Sequence, residues 1–272
     1  MNRRHRPFSS VEALRRLQMK ARYCFETEEF EALTGREPGG AAGKSALLRL
    51  NTQGLVVPLA RRSGFWLIVP PEHISKGAPP VAWWLHDYLS RKEVTYHVGL
   101  LSAATAHGSS HFAVMETQIF LPLPRRELQV APFRLRFFVK QGIADAPTVT
   151  LRTEKSKVVV SSVATTLLDL IRHAPTVGGI ERANLILQDL GEKLANEDIA
   201  LSLAAAADIA AAQRFGYLLE HAAYKKHAQR VAYWLNEKRV QRTRLDVSGT
   251  SSKGDVSERW KVLINTDLAS VA

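Results

Sequence analysis

Residues 41–69 read AAGKSALLRLNTQGLVVPLARRSGFWLIV, and the fold of the first third of the chain turns on them. With 3.6 residues per turn, the front of this stretch is a helix with Ala46, Leu47 and Leu50 on one face. Lys44, Ser45 and Thr52 lie on the other, and Arg49 sits at the boundary. Gly54 is placed to end the helix. Residues 55–59 and 65–69 are two β-prone runs separated by ARRSG, a basic hairpin tip. A helix that packs inward with a basic edge left free, followed by a hairpin, is the order of a winged helix's recognition helix and wing.

Working backwards, residues 11–21 space Val11, Leu14, Leu17 and Ala21 three or four apart, which makes an amphipathic first helix flanked by Arg15, Arg16 and Lys20. Residues 23–25 form a short extended link. Thr27 is an N-cap candidate, with Glu28 and Glu29 in the first turn and Gly35 as the stop. Residues 36–40 (REPGG) are the turn into the opening helix. Three short helices and a hairpin in about 70 residues is the economy of a winged helix-turn-helix.

Working forwards, the paired prolines at 70–71 and 79–80 break helix and strand and place a linker and domain boundary there, giving domains of 1–78 and 79–272. Residues 81–92 and 98–107 read as helices. Four β-like runs follow at 117–122, 133–139, 148–152 and 157–160. Helical periodicity then takes over at 163–172, 179–190, 197–212, 213–224 and 228–238, with residues 260–264 as a last strand. The fold class is α+β: an N-terminal winged helix-turn-helix and a larger domain with a small sheet and a helical cluster.

The 272 residues are 46% hydrophobic and 23% charged, an ordinary globular composition. A lone cysteine, Cys24, excludes an intrachain disulfide framework and a Cys-rich zinc site. Neither a signal peptide nor an apolar run of the ~18 residues that a membrane span needs is visible, so a soluble, cytoplasmic chain is expected. The net charge of +11 asks for an anionic partner. Over half of that excess lies in the first 80 residues, which include Arg3, Arg4 and Arg6, a candidate electrostatic arm.

Several patterns imitate chemistry. Gly39 to Ser45 resembles a phosphate-binding loop, but Pro38 occupies the first glycine's place and no buried strand precedes it. His107 and His111 have the i, i+4 spacing of metal ligands, without a glutamate between them or a helix to carry them. Residues 154–157 (EKSK), with Asp145 upstream, miss a nuclease carboxylate-x-lysine core by one position. A metal-dependent nuclease or nucleotide-binding enzyme centred in the C-terminal domain is thus the competing reading. No catalytic residue, metal ligand or cofactor is expected. The basic stretch at 225–244, interleaved with Tyr224, Tyr233 and Trp234, is a second phosphate-contacting surface, a dock for RNA or a protein partner, or a solvated helix face with its aromatics in the core.

Five segments together resemble the AbiEi-type antitoxins, the transcriptional-regulator half of bacterial type IV toxin–antitoxin and abortive-infection systems. They are 22–29 (RYCFETEE), 96–104 (YHVGLLSAA) running on to Gly108, 161–170 (SSVATTLLDL), 214–220 (RFGYLLE) and 259–267 (RWKVLINTD). Residues 109–115 depart from the expected pattern, with His111 and Phe112 replacing a more polar stretch. The resemblance implies a winged helix that binds inverted repeats in its own promoter and represses it. It also implies an antitoxin domain opposing a nucleotidyltransferase toxin, commonly by an indirect route. On that reading the DNA-binding residues are Lys44, Ser45, Arg49, Arg61 and Arg62, double-stranded DNA is the partner, and the chain is not an enzyme.

Overall fold

The computed structural model describes residues 7–60, 63–109, 115–249, 251 and 253–268. The chain opens with α1 (Ser10–Met19), whose cap is Ser9: its hydroxyl accepts from the Glu12 amide at 3.2 Å. Ala13, Leu14 and Leu17 are the buried stripe. There follow β1 (Cys24–Glu26), α2 (Thr27–Leu33), α3 (Ala41–Thr52), β2 (Val56–Pro58) and β3 (Phe65–Ile68). The three strands form an antiparallel sheet in the order β1-β3-β2. The segment expected as an extended link is therefore a sheet strand, paired Cys24 to Leu67 and Glu26 to Phe65. Thr27, expected to cap α2, instead begins it, and its hydroxyl donates to the Gly64 carbonyl at 3.1 Å while accepting from Trp66 Nε1 at 3.1 Å. Helices and hairpin are tied together at that residue, an arrangement compatible with a winged helix-turn-helix.

The paired prolines do interrupt regular structure, yet residues 70–84 are not a loose tether. They run through 3-10 turns at Pro71–Lys76 and Val81–Trp83, with Ala78, Trp83 and Trp84 buried. The expected helix at 81–92 becomes α-helical only at α4 (Leu85–Arg91). Next come β4 (His97–Val98), α5 (Leu100–Ala106), β5 (Thr117–Leu121), β6 (Leu128–Val130), β7 (Phe133–Val139), β8 (Thr148–Arg152) and β9 (Lys157–Ser161). They make a mixed six-stranded sheet in the order β6-β7-β5-β4-β9-β8.

The helical cluster is α6 (Val163–Arg172), α7 (Ala174–Val177), α8 (Ile180–Leu190), α9 (Asn196–Ala206), α10 (Ile209–His221) and α11 (Lys225–Leu235). The alanine-rich segment is not one helix to residue 212. Ala207 turns left-handed at φ 48°, and Asp208 caps α10 by accepting from the Ala211 amide at 2.9 Å. The tail adds β10 (Thr243–Arg244), β11 (Val256–Ser257) and β12 (Val262–Leu263), ordered β10-β12-β11. This is the α+β class that the sequence predicts.

Two apolar cores hold the chain. One runs from Ala13 through Trp83 and Trp84 to Val160, and the other from Leu100 to Val262. Within the second, Gly216 on α10 lies where a Cβ would come 2.0 Å from the Trp260 ring, so that the indole can seat flat against the helix. Trp260 Nε1 then donates to Glu220 at 2.5 Å. Segments 214–220 and 259–267, far apart in sequence, are two halves of one packing unit.

Ionisable groups meet in one buried pair and one half-buried cluster. Lys140, 3% exposed, reaches both carboxylate oxygens of Asp169 at 2.5 and 2.6 Å. Where α2 and β1 meet α4, Arg22 binds Glu29, while Arg91 lies 3.2 Å from Glu29, 3.7 Å from Glu26 and 3.0 Å from Asp87. Three carboxylates there share two guanidiniums. Burial pushes the Asp87 carboxyl up to about 6, with Glu29 and Glu26 adding to the rise against the opposing pull of Arg22.

Removing one member of the Lys140–Asp169 pair leaves the other buried and uncompensated. Lys140→Met should cost about 3–5 kcal/mol in urea unfolding, whereas the double change Lys140→Met, Asp169→Leu should cost much less. The junction carries a pH signature. Asp87 holds its proton in the folded chain over a range where the unfolded chain has released it, so its contribution is present below pH ~4 and lost as pH rises through ~6. Unfolding midpoints across that window should fall in the parent and flatten in Asp87→Asn.

Candidate nucleic-acid interface

The candidate site is built on α3. At about 100° per residue, Ala41, Lys44, Ser45, Leu48, Arg49 and Thr52 fall within one arc of roughly 140°. All six are exposed, while Gly43, Ala46, Leu47 and Leu50 on the opposite arc are buried against the rest of the unit. The side chains of Lys44, Ser45 and Arg49 have no hydrogen-bond or ion-pair partner among the described residues. Arg49, assigned from sequence to the boundary of the apolar face, is on the open side. Leu48, 63% exposed in the middle of this face, is the residue that sequence reasoning left out. Its signal was an apolar residue at the polar phase of an amphipathic pattern.

The hairpin is held beside the helix by backbone and side-chain bonds. Asn51 Nδ2 donates to the Val56 carbonyl at 2.8 Å, and the Leu55 amide bonds Leu50 at 3.0 Å. Gly54, at φ 72°, makes the left-handed turn between them, as expected. Arg61 and Arg62, at the expected tip, lie outside the described residues, as do Arg3, Arg4, Arg6 and His111.

Geometry explains why the loop-like letters around Lys44 are not a phosphate cradle. Gly43 sits in the first turn of α3, where a Cβ would fall 2.2 Å from Glu31 Oε1. The Glu31 side chain is fully buried there and accepts from the Gly39 amide at 2.8 Å. A carboxylate from α2 is thus packed against the first turn of α3, where a phosphate cradle would need open space and like charge disfavours an anion.

The other imitations resolve in similar ways. His107 is bonded through Nε2 to the Ser161 carbonyl at 2.7 Å, and its own carbonyl accepts from Lys193 at 2.6 Å. Glu154 projects from the β8–β9 turn beside Lys155 at 3.7 Å. Among the described residues no three His, Cys, Asp or Glu side chains converge as metal ligands. His97, at the start of β4, is buried against Phe120, and burial with the nearby Lys140 charge lowers it to about 3, so it is neutral. In the basic stretch, Tyr224 packs on Gly191 and donates to the Gln188 carbonyl at 3.2 Å, and Lys238 covers Trp234. Tyr233, by contrast, is 67% exposed among cations. Segment 161–170 is a core element: Ser162 caps α6, Ser161 bonds Thr166 at 2.7 Å, and Thr165 bonds Ser202 at 2.8 Å.

The chain is therefore an α+β protein with a basic helix-and-hairpin unit packed on a mixed sheet and a helical cluster. Residues 97–221, from β4 to the end of α10, match the family profile described as the AbiEi antitoxin C-terminal domain. The match supports an AbiEi-type antitoxin acting in a toxin–antitoxin system, a family that is generally not enzymatic. The crystal structure of the RV2827C protein from Mycobacterium tuberculosis shares the fold, with a TM-score of 0.68 over 95% of this chain and 92% of that one at 18% identity. No curated sequence matches the chain. Among the described residues no helix is long and apolar enough to cross a membrane.

Gly43→Ala tests the Glu31 contact. A glycine-to-alanine change inside a helix ordinarily gains about 1 kcal/mol. Here the added methyl collides with a side chain that has no room to leave, and a net loss of about 1–3 kcal/mol is expected in thermal unfolding. Adding Glu31→Ser should restore the ordinary gain.

Proposed function

We propose that the chain is a DNA-binding autorepressor and antitoxin of a type IV toxin–antitoxin system. In this reading residues 1–78 are the winged helix-turn-helix domain, residues 79–272 are the antitoxin domain, and the opposed toxin is a nucleotidyltransferase. The protein acts in the cytoplasm on the inverted repeats of its own promoter.

The observation that carries this reading is the open face of α3, where two cations, a serine and an exposed leucine share one side of a helix buttressed by a hairpin. A major groove admits one α-helix, and that residue set suits it: Arg49 and Lys44 for guanine edges or phosphates, Ser45 for either, and Leu48 for a thymine methyl. Arg61 and Arg62, at the hairpin tip by sequence, supply backbone contacts. The +11 net charge adds a non-specific, salt-dependent attraction.

Fluorescence anisotropy with a duplex from immediately upstream of the chain's own reading frame tests the proposal. Arg49→Ala should weaken binding by about 1–3 kcal/mol if it reads a base, and the Arg61→Ala, Arg62→Ala pair should reduce the salt slope by about 2. Parental affinity in both variants would remove the site assignment. Equal binding of the upstream duplex and an unrelated one would remove the repressor. A nucleotidyltransferase reading frame next to the gene is the matching expectation for the toxin.

A further inference from the structure

A second concentration of positive charge lies away from α3. The β8–β9 hairpin, the end of α1 and one side of α4 border an open cleft of about 880 Å³. Five cations line it, Lys20, Arg22, Arg152, Lys155 and Lys157, against a single carboxylate, Asp87. Arg22 is already held by Glu29, and Lys155 lies 3.7 Å from Glu154. Lys20, Arg152 and Lys157 have no ion-pair partner among the described residues.

The strand register makes this arrangement costly. Arg152 and Lys157 are direct cross-strand partners in the antiparallel β8–β9 pair, so two like charges face each other on one side of the hairpin. Such pairs destabilise a sheet, and sequences ordinarily place opposite charges or a polar pair there. The turn cannot splay to separate them, because the Thr153 amide bonds the Ser156 carbonyl at 2.8 Å and the Ser156 amide bonds the Thr153 hydroxyl at 2.9 Å. A rigid hairpin that holds uncompensated cations over a concavity is arranged for an anion supplied from outside.

We propose that this cleft binds the phosphoryl groups of a small polyphosphate, of the nucleoside triphosphate class. Its volume falls in the ~300–1,000 Å³ range of small-molecule sites. A duplex is convex and could lay only its backbone along the rim. Arg152 and Lys157 clamp the phosphates from the hairpin, Lys20 closes the site from α1, and the exposed Thr150 adds a hydroxyl donor. Because its walls come from α1 on one side and the six-stranded sheet on the other, a bound ligand joins the two.

The test uses the full chain, with inorganic triphosphate and ATP as probes, followed by calorimetry and thermal unfolding. Both probes should bind and raise the melting temperature. Arg152→Thr, Lys157→Thr should lower affinity by about tenfold or more while leaving unliganded stability equal or slightly higher, since it relieves the cross-strand repulsion. Lys20→Gln, on the opposite wall, should weaken binding several-fold, by roughly one charge-assisted contact. Lys44→Ala should leave triphosphate binding unchanged, which separates this site from the operator reading. The proposal is overturned if neither probe binds the parent chain, or if the hairpin variant binds as the parent does. It is also overturned if the hairpin variant weakens duplex binding while triphosphate neither binds nor competes, which would make the cleft a DNA backbone track.

Discussion

Trp83 and Trp84 stand where the helix-and-hairpin unit, the proline turns and the large sheet meet. Trp83 packs on Tyr23 at 5.0 Å and on His73 at 5.0 Å, and Lys155 lies over its ring from the β8–β9 turn. Trp84 is fully buried, donates to the Pro79 carbonyl at 3.3 Å and meets Tyr88, whose ring meets Phe65 of β3 edge-on at 5.2 Å. Large aromatic surfaces lose most by being parted, because each buries 150–250 Å² or so. This packing sets how the basic face of α3 is presented relative to the rest of the molecule. A functional account that treats the first 78 residues alone omits the residues that orient them.

Electrostatics repeats one theme around that junction: charge is placed first and compensated second. Glu31 is buried beside the first turn of α3 and bonded to the Gly39 amide, while the cations farther along the helix remain open. Arg22 and Arg91 gather three carboxylates between the two units, one more than they can neutralise, and burial raises the Asp87 carboxyl to about 6. The Lys140–Asp169 pair under the helical cluster is balanced and nearly solvent-free. The α3 face and the hairpin cleft are the contrast, since Lys44, Arg49, Lys20, Arg152 and Lys157 have no ion-pair partner among the described residues. Uncompensated charge on a rigid support costs stability unless something outside meets it.

The described residues of the motifs that imitate chemistry take structural positions. The glycine-lysine-serine run, set apart from a phosphate loop in sequence by Pro38 and the missing strand, has in Gly43 the clearance for a buried glutamate. His107 spends its ring on a backbone carbonyl and Glu154 stands at an exposed turn, so neither joins a converging set among the described residues. The resemblance segments, by contrast, gain meaning from the fold. Ser161, Ser162, Thr165 and Thr166 form a buried hydroxyl ladder, and Gly216 with Trp260 forms a lock.

The sequence by itself determined the α+β class, the amphipathic phase of α3, its stop at Gly54 and the hairpin after it, because each rests on contacts within a few residues along the chain. It also determined which cations α3 carries. Strand β1, the two-residue β4 and the three-residue β6 were not legible, since runs that short have no periodicity and are strands only because a neighbour pairs with them. The break at Ala207 escaped notice because alanine favours helix on either side of it, whereas α9 and α10 each pack on α6 and α11 and the chain must turn between them. Tertiary structure alone decided that the proline segment is packed and not a tether, that Glu31 meets Gly43, and that the Arg152–Lys157 pair of the β8–β9 hairpin borders a cleft shared with the end of α1. Those outcomes depend on which distant surfaces come together, and burial and strand register settle that only when the whole chain has folded.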